Sequence, residues 1–319
     1  MENNEKLLSS FQLITRYCKI ESPYWRLFLE HYRNLGVSFF HICIQTKEDL
    51  DDFNLRFKDL FDNHIIHELD PRIPPNKALK FFNFKLLKTD LKYTIFVDAD
   101  EFFSFSGLDN DLYECIDFFS QIRINWVMNI IENIYEDKQK GYFGHTGKPM
   151  ALTKNLLSFR SDHIFRLKGR KRKILKSLII YNQNPLKKFN SFINGSSNNI
   201  TIQINAILIH YWARGIKDVI LRSLFSRFKS FKQMDQSSFF EIVKSGSIPN
   251  RLKMMAYLSK QENYLSFDKQ FNYEFYDKES EEQLLKSFGL SQILIDDIYE
   301  NYYNYKNQLF KNKYLPGYP

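Results

Sequence analysis

Three pairs of aspartates in this chain have the D-x-D spacing that lets two carboxylates share one cation: Asp49-Leu50-Asp51, Asp98-Ala99-Asp100 and Asp109-Asn110-Asp111. On an extended backbone, residues i and i+2 point to the same side. Two carboxylates so placed hold a hard divalent cation, which can in turn bridge a diphosphate. Context separates the three. Asp98 and Asp100 follow Tyr93-Thr94-Ile95-Phe96-Val97, a β-prone run with no polar residue after Thr94. Three acids, counting Glu101, therefore arrive together where a buried parallel strand reaches the carboxyl edge of its sheet, and that edge is where α/β folds bind ligands. Asp49 and Asp51 fall in the first turn of an expected helix, where carboxylates favour the positive end of the dipole. Asp109 and Asp111 fall in a Gly-containing turn before another helix. For the 98–101 cluster, the bland alternative is that the acids cap the next helix or pair with surface lysines.

The elements that must position this cluster follow from the alternation of short apolar runs with amphipathic stretches, the pattern of a mostly parallel sheet flanked by helices. Strands are expected at 11–18, 39–44, 65–69 and 93–97. Between them, a helix opens at Ser22-Pro23, carries Trp25, Phe28, Leu29 and Tyr32 on one face and ends at Leu35-Gly36. A second opens with Thr46 and Asp49 as a capping-box variant. Residues 70–75 hold three prolines and read as a loop, followed by a helix over 77–87. Further strands are expected at 125–131 and 206–212. After Gly215 the apolar spacing becomes helical over 216–231, 239–244, 253–262 and 281–307. The expectation is an α/β domain over 1–215 and a helical C-terminal extension over 216–319.

Composition narrows the class. The chain has 319 residues, 44% hydrophobic and 17% aromatic, with few Gly and Pro, which excludes a disordered or collagen-like chain. The formal charge is +8, which invites an anionic partner; abundant Asn, Ile, Phe, Tyr and Lys match A/T-rich codons and explain the Lys excess equally well. Cys18, Cys43 and Cys115 form no C-x-x-C pair and read as isolated reduced thiols. The start of the chain lacks a signal-peptide pattern and no run reaches 18 apolar residues, so a cytoplasmic protein is expected, with peripheral contact at the inner face of a membrane as a further expectation. In that setting the sequons at Asn194 and Asn199 read as chance.

Asp98-Ala99-Asp100-Glu101-Phe102 at a strand end resembles the D-x-D-E-F motif of family 2-like and family 92-like glycosyltransferases of GT-A fold. Two more elements match in order: Lys19-Ile20-Glu21 with Phe28-Leu29-Glu30-His31-Tyr32-Arg33-Asn34-Leu35-Gly36-Val37 before it, and Ile209-His210-Tyr211 after it. The resemblance runs from about residue 12 to 228. It implies a Rossmann-like GT-A domain and a transferase, of hexosyltransferase class, that uses a nucleotide-diphosphate sugar, a UDP-sugar first among donors. It assigns Asp98 to the donor ribose and metal, Asp100 to the metal and His210 to the same metal; an imidazole ligand suits Mn²⁺ better than Mg²⁺. Lys19 and Glu21 fall on the opening motif that contacts the donor. The sequence departs from the family at Ile20, where the pattern has Asn, and at 45–49, where Asp49 remains to hold a uracil N–H or to cap its helix.

Sugar transfer needs positive charge behind a departing diphosphate. Besides a cation, Lys77, Arg214 and Lys217 are candidates, with solvated basic residues as the alternative for each. Inversion needs a carboxylate base for the acceptor hydroxyl; Glu132, Glu136, Asp137 and Asp162 are available, and Asp162, beside His163 at the entry to a strand, is preferred. The acceptor class is a glycan or lipid-linked sugar, used in polysaccharide biosynthesis. Two other classes compete. A haloacid-dehalogenase-type phosphatase would use the first Asp as nucleophile, but its motif belongs on the first strand. A non-catalytic basic binding protein would stack nucleic-acid bases on the many aromatics, yet no nucleic-acid motif accompanies them, and no nucleic-acid partner is expected.

Overall fold

The computed structural model describes residues 7–60, 63–105, 110–133, 135, 137–168, 178–180, 201–203, 206–224, 236–260, 265–270 and 272–311. The chain forms two compact units. The first comprises Met1–Met128, Phe143–His210 and Gln270–Phe275, and the second comprises Asn129–Tyr142, Tyr211–Lys269 and Tyr276–Pro319.

The first unit is built on β1 (Phe11–Arg16), β2 (Phe39–Ile44), β3 (His64–Glu68) and β4 (Tyr93–Phe96), all parallel, in the spatial order β3-β2-β1-β4. β1, β2 and β4 are buried on both faces and read as mainly apolar runs, whereas β3, at the edge of the sheet, is only partly buried. Helix α1 (Ser22–Asn34) connects β1 to β2, with Pro23 in its first turn and Tyr24, Trp25, Phe28, Leu29 and Tyr32 buried. Its end is closed by Gly36 at φ 102°, with Val37 N donating to Tyr32 O at 3.0 Å; a left-handed φ is cheap only for glycine. Helix α2 (Lys47–Arg56) connects β2 to β3, and Thr46 caps it by accepting from Asp49 N.

The expected helix over 77–87 is replaced by one α-helical turn, α3 (Pro75–Ala78), and two 3₁₀ turns, Leu79–Phe81 and Phe84–Leu86. The break has a local cause. The Asn83 side chain accepts from Lys85 N, and Phe82 and Phe84, two residues apart, both turn toward Phe159. Positions i and i+2 cannot share a helix face.

After β4 the sheet turns antiparallel. β5 (Glu101–Phe105) and α4 (Asn110–Phe119) precede two long strands, β6 (Gln121–Ile131) and β7 (Lys138–Leu152). β7 pairs with β4, with Ile95 opposite Met150. The hairpin of β8 (Leu156–Ser161) and β9 (Ile164–Leu167) lies outside that sheet. Short β10 (Leu178–Ile180) and β11 (Thr201–Gln203) extend it in parallel beyond β6, and β12 (Ala206–Arg214) runs antiparallel to β5. The result is a mixed α/β fold with a parallel-rich central sheet, and its core includes a cluster of Phe82, Phe96, Phe159, Phe165 and neighbouring aliphatics.

In the second unit β13 (Leu265–Asp268) pairs with the start of β7, and helices span Ile216–Leu224, Gln236–Lys244, Asn250–Leu258, Lys278–Ser287 and Gln292–Lys311. The continuous helix expected over 281–307 is two helices, because Gly289 adopts φ 76° and Leu290 N bonds back to Leu285 O. Apolar Val219, Ile220, Leu252, Met255, Leu284, Ile298 and Tyr302 are buried. Cys18, Cys43 and Cys115 form no disulfide. No helix among the described residues is long and apolar enough to cross a membrane. Phe228, the sequons at Asn194 and Asn199, Asp109 and Glu136 lie outside the described residues.

Candidate functional site

The order β3-β2-β1-β4 reverses direction between β1 and β4, and in open α/β sheets the crevice beyond the strand ends at such a reversal is the ligand site. The parallel register aligns Ile14 with Phe96; continued two residues, it brings Arg16 beside Asp98. Arg16 Nε donates to Asp98 Oδ1 at 2.8 Å. Register also delivers Lys148, two residues before Met150 on β7. Its ammonium, 1% exposed, bonds Asp98 Oδ2, stands 3.6 Å from Glu101 Oε1, and lies 4.6 Å from the centroid of the Phe96 ring.

The turn from β4 to β5 is closed on itself, with Asp98 N donating to Glu101 Oε2 at 2.7 Å and Glu101 N donating to Asp98 O at 3.0 Å. Glu101 begins β5, and the antiparallel register sets it opposite His210 on β12. His210 Nε2 is 3.3 Å from Asp100 Oδ2. One ligand atom from each of Asp100, Glu101 and His210 lies within 4.8 Å of the others. The other imidazole nitrogen, Nδ1, is 3.3 Å from the Met128 thioether, and the ring packs on Trp126 with centroids 4.5 Å apart. A thioether accepts only weakly, so of the two nitrogens Nε2 has the stronger acceptor, the Asp100 carboxylate, before it.

Asp162 sits at the tip of the β8–β9 hairpin, with Oδ2 3.9 Å from Arg16 and Oδ1 3.4 Å from His163 Nε2. The aromatic packing of Phe159 and Phe165 against Phe82, Phe84 and Phe96 holds that hairpin in place.

Four carboxyl groups, Asp98, Asp100, Glu101 and Asp162, thus gather around two fixed cations, Arg16 and Lys148. Burial opposes ionisation of Asp98, but Arg16 and Lys148 outweigh it and hold its carboxyl at about 2. Burial drives Glu101 the other way, well above the usual carboxylate range; the charges of Asp98 and Asp100 add to it against the pull of Lys148. Glu101 Oε1 is buried without a hydrogen bond. Burial would weaken protonation of Arg16 and Lys148, and the surrounding carboxylates more than reverse that. His163 is lowered, chiefly by burial.

Of the residues singled out from sequence, the fold brings together Asp98, Asp100, His210 and Asp162. Arg16 and Lys148 bond the two Asp98 oxygens, and the ligand-type trio is Asp100, Glu101 and His210. Asp49 is buried, its Oδ1 accepting from Lys19 N at 2.8 Å and its Oδ2 bonded to the Thr46 hydroxyl, so it ties the 3₁₀ turn Lys19–Glu21 to α2. The Lys19 ammonium pairs with Glu48 at 2.9 Å, Glu21 is half-buried in that same turn, and Lys77 is exposed on α3. In the second unit Arg214, 1% exposed, pairs with Asp218 at 3.1 Å, and Lys217 lies 3.9 Å from Glu281. Asp218 is shared with Arg222, whose Nε lies 3.0 Å from its Oδ1. Glu132 accepts from Tyr302 at 2.7 Å and pairs with Lys306, and Asp137 pairs with Lys269 at 2.7 Å.

Sequence reasoning missed Arg16, Lys148, Trp126 and the place of Glu101 in the ligand-type trio. Arg16 carries the signal that revealed Asp98, a charged residue ending an apolar strand. Lys148 lies in a polar, glycine-containing stretch and gives no such signal.

No family model matches the chain, and no curated protein matches it either. Solved structures to which it is similar include HddC from Yersinia pseudotuberculosis (11% identity, 66% of this chain and 96% of that one, TM-score 0.34). A putative glucose-1-phosphate thymidylyltransferase from Bacillus anthracis in complex with a sucrose gives 9% identity over 62% and 88%, TM-score 0.33. S. aureus TarS 1–349 in complex with UDP-GlcNAc gives 11% identity over 96% and 93%, TM-score 0.32. At such scores the functional reading rests on the geometry of the site.

Proposed function

We propose that this protein is a metal-dependent glycosyltransferase that moves a sugar, with inversion, from a nucleoside-diphosphate donor to a glycan or lipid-linked acceptor. The observation that carries the reading is the meeting of Asp100, Glu101 and His210 at the strand ends where β1 and β4 diverge. The donor set fits a divalent ion of Mn²⁺ or Mg²⁺ type: two carboxylates and an imidazole, a buried Glu101 oxygen without a hydrogen bond, and a surplus of acids over fixed cations. When bound, such an ion neutralises the departing diphosphate.

The chain's own groups do the rest. Asp98, held by Arg16 and Lys148, anchors the turn that presents Asp100 and Glu101. Met128 and Trp126 orient the His210 ring. Asp162, 3.9 Å from Arg16, accepts the acceptor hydroxyl's proton. The phosphatase reading needs an Asp98 oxygen free to attack, and salt bridges engage both.

The test is a screen of nucleotide sugars, beginning with UDP-sugars, for thermal stabilisation with and without Mn²⁺, followed by donor hydrolysis. Stabilisation that requires both ligands, and that Asp100→Ala abolishes, supports the reading. Equal stabilisation of wild type and Asp100→Ala overturns it.

A further inference from the structure

Apart from Asp162 and His163 at a hairpin tip, a second surface of the first unit contributes no residue to the candidate site described above. Residues 75–87 and 153–168 form one layer. The 3₁₀ turns of the first segment pack on β8 of the second, and their inward side chains Leu79, Phe82, Leu87, Leu156, Phe159 and Phe165 share one buried cluster. The outward side chains are of two kinds. Lys77, Lys80 and Lys85 from the first segment are exposed, and so are Lys154, Arg160, Arg166 and Lys168 from the second. The only acid in either segment is Asp162, at the hairpin tip. These 29 residues therefore carry a surplus of six positive charges in a chain whose total is +8. Seven cations against one acid is a denser surplus than that of the chain as a whole. Among these cations stand exposed apolar side chains: Phe81 at 67%, Leu86 at 43% and Leu157 at 48%. Leu55, at 82%, and Ile293, at 76%, are as exposed, but they lie on helices rich in acids.

From this juxtaposition we infer that the 75–87/153–168 layer is a docking surface for a bilayer containing anionic lipid. Lysines and arginines near a membrane gain from its negative surface potential. Exposed Phe and Leu between them enter the headgroup boundary, as the apolar face of an interfacial element does. Nucleic acid would use the same cations but gains nothing from exposed leucines. The inference does not depend on the donor-site reading, since it uses neither Asp100, Glu101 nor His210.

The test is cosedimentation of the full chain with sucrose-loaded vesicles of phosphatidylcholine, with and without phosphatidylglycerol. Pelleting is expected only with phosphatidylglycerol, and it weakens as salt is raised. Lys80→Glu/Lys85→Glu and Phe81→Ser/Leu157→Ser each lower the vesicle partition by at least about tenfold, while Leu55→Ser leaves it unchanged. All these positions are exposed, and matching thermal melts show that the variants fold. Three outcomes overturn the inference: no pelleting with phosphatidylglycerol, pelleting indifferent to the two double variants, or binding to duplex RNA that displaces vesicles and is unaffected by Phe81→Ser/Leu157→Ser.

Discussion

Two polar clusters are buried on the same parallel strands, one midway along them and one at their carboxyl ends. In the first, Gln12 of β1 donates to Lys88 O at 3.0 Å and to Thr94 and Thr153 hydroxyls at 3.2 and 3.3 Å. Its Oε1 accepts from Lys88 N at 2.9 Å and from His41 Nε2 at 2.8 Å. His41 must then carry its proton on Nε2, and its Nδ1 accepts from His67 Nε2 at 2.9 Å. This ladder is neutral and closed. The second cluster, around Asp98 to Glu101, holds twice as many carboxyl groups as fixed cations and keeps a Glu101 oxygen without a hydrogen bond. Buried polarity by itself therefore marks no site: the ladder specifies strand order, whereas the strand-end cluster carries a charge imbalance that a ligand would complete.

The largest effect should come from the charge that holds the open cluster together. Lys148→Met leaves Asp98 and Glu101 buried with Arg16 as the one remaining fixed cation and should lower stability by about 3–5 kcal/mol. Thr153→Val, in the closed ladder, should cost only about 1 kcal/mol. Urea denaturation of both variants checks the contrast, and equal losses would break it. Ligand binding should reverse the ranking. Asp100→Ala is expected to weaken Mn²⁺ binding by calorimetry at least about a hundredfold while melting like wild type, and Thr153→Val is expected to leave Mn²⁺ affinity unchanged.

Acid sharpens the comparison from the other side. Burial, with the neighbouring His67 and Lys88 charges, lowers His41 to about 3, and burial lowers His67 to about 4. Both rings are neutral in the folded ladder and take up protons on unfolding below 6.5. A lowered folded-state value means that the stabilisation is fully present above pH 6.5 and is lost as pH falls from 6.5 toward 4, by up to about 1.4 kcal/mol per pH unit for each ring. A urea midpoint that stays constant between about pH 7 and 5 would show that the ladder accommodates a charge after all.

The same contrast explains what the sequence could and could not reveal. Strands β1, β2 and β4 and the acids after Val97 were legible because a buried, mainly apolar run is a local pattern. β7 was not. Its 15 residues include Gly141, Gly144, Gly147 and Pro149, and its extended form depends on pairing with β4 and β13, which no local window contains. Lys148 was hidden with it. His210 stood out as one imidazole in an apolar strand, but its meeting with Asp100 rests on the register that sets it opposite Glu101, again a tertiary fact. The 82–84 break went unseen because an asparagine turn overrode a plausible helical spacing.

The smallest expected effect bears on the other well-described D-x-D pair. Asp49 has the same spacing to Asp51 that Asp98 has to Asp100, yet its oxygens are engaged by Lys19 N and the Thr46 hydroxyl, and Asp51 is exposed. Asp49→Ala removes one buried acceptor from a backbone donor and from the capping hydroxyl of α2, so it should cost about 1–2 kcal/mol. Mn²⁺ affinity should not change, because Asp49 belongs to no group of three ligand-type side chains among the described residues. Nucleotide binding separates the two roles open to this residue. If UDP binds the variant as tightly as wild type at equal Mn²⁺, Asp49 is a fastener between the Lys19–Glu21 turn and α2. A loss of tenfold or more in UDP affinity with Mn²⁺ binding intact would instead make it the contact to the base, on an edge where spacing alone says nothing.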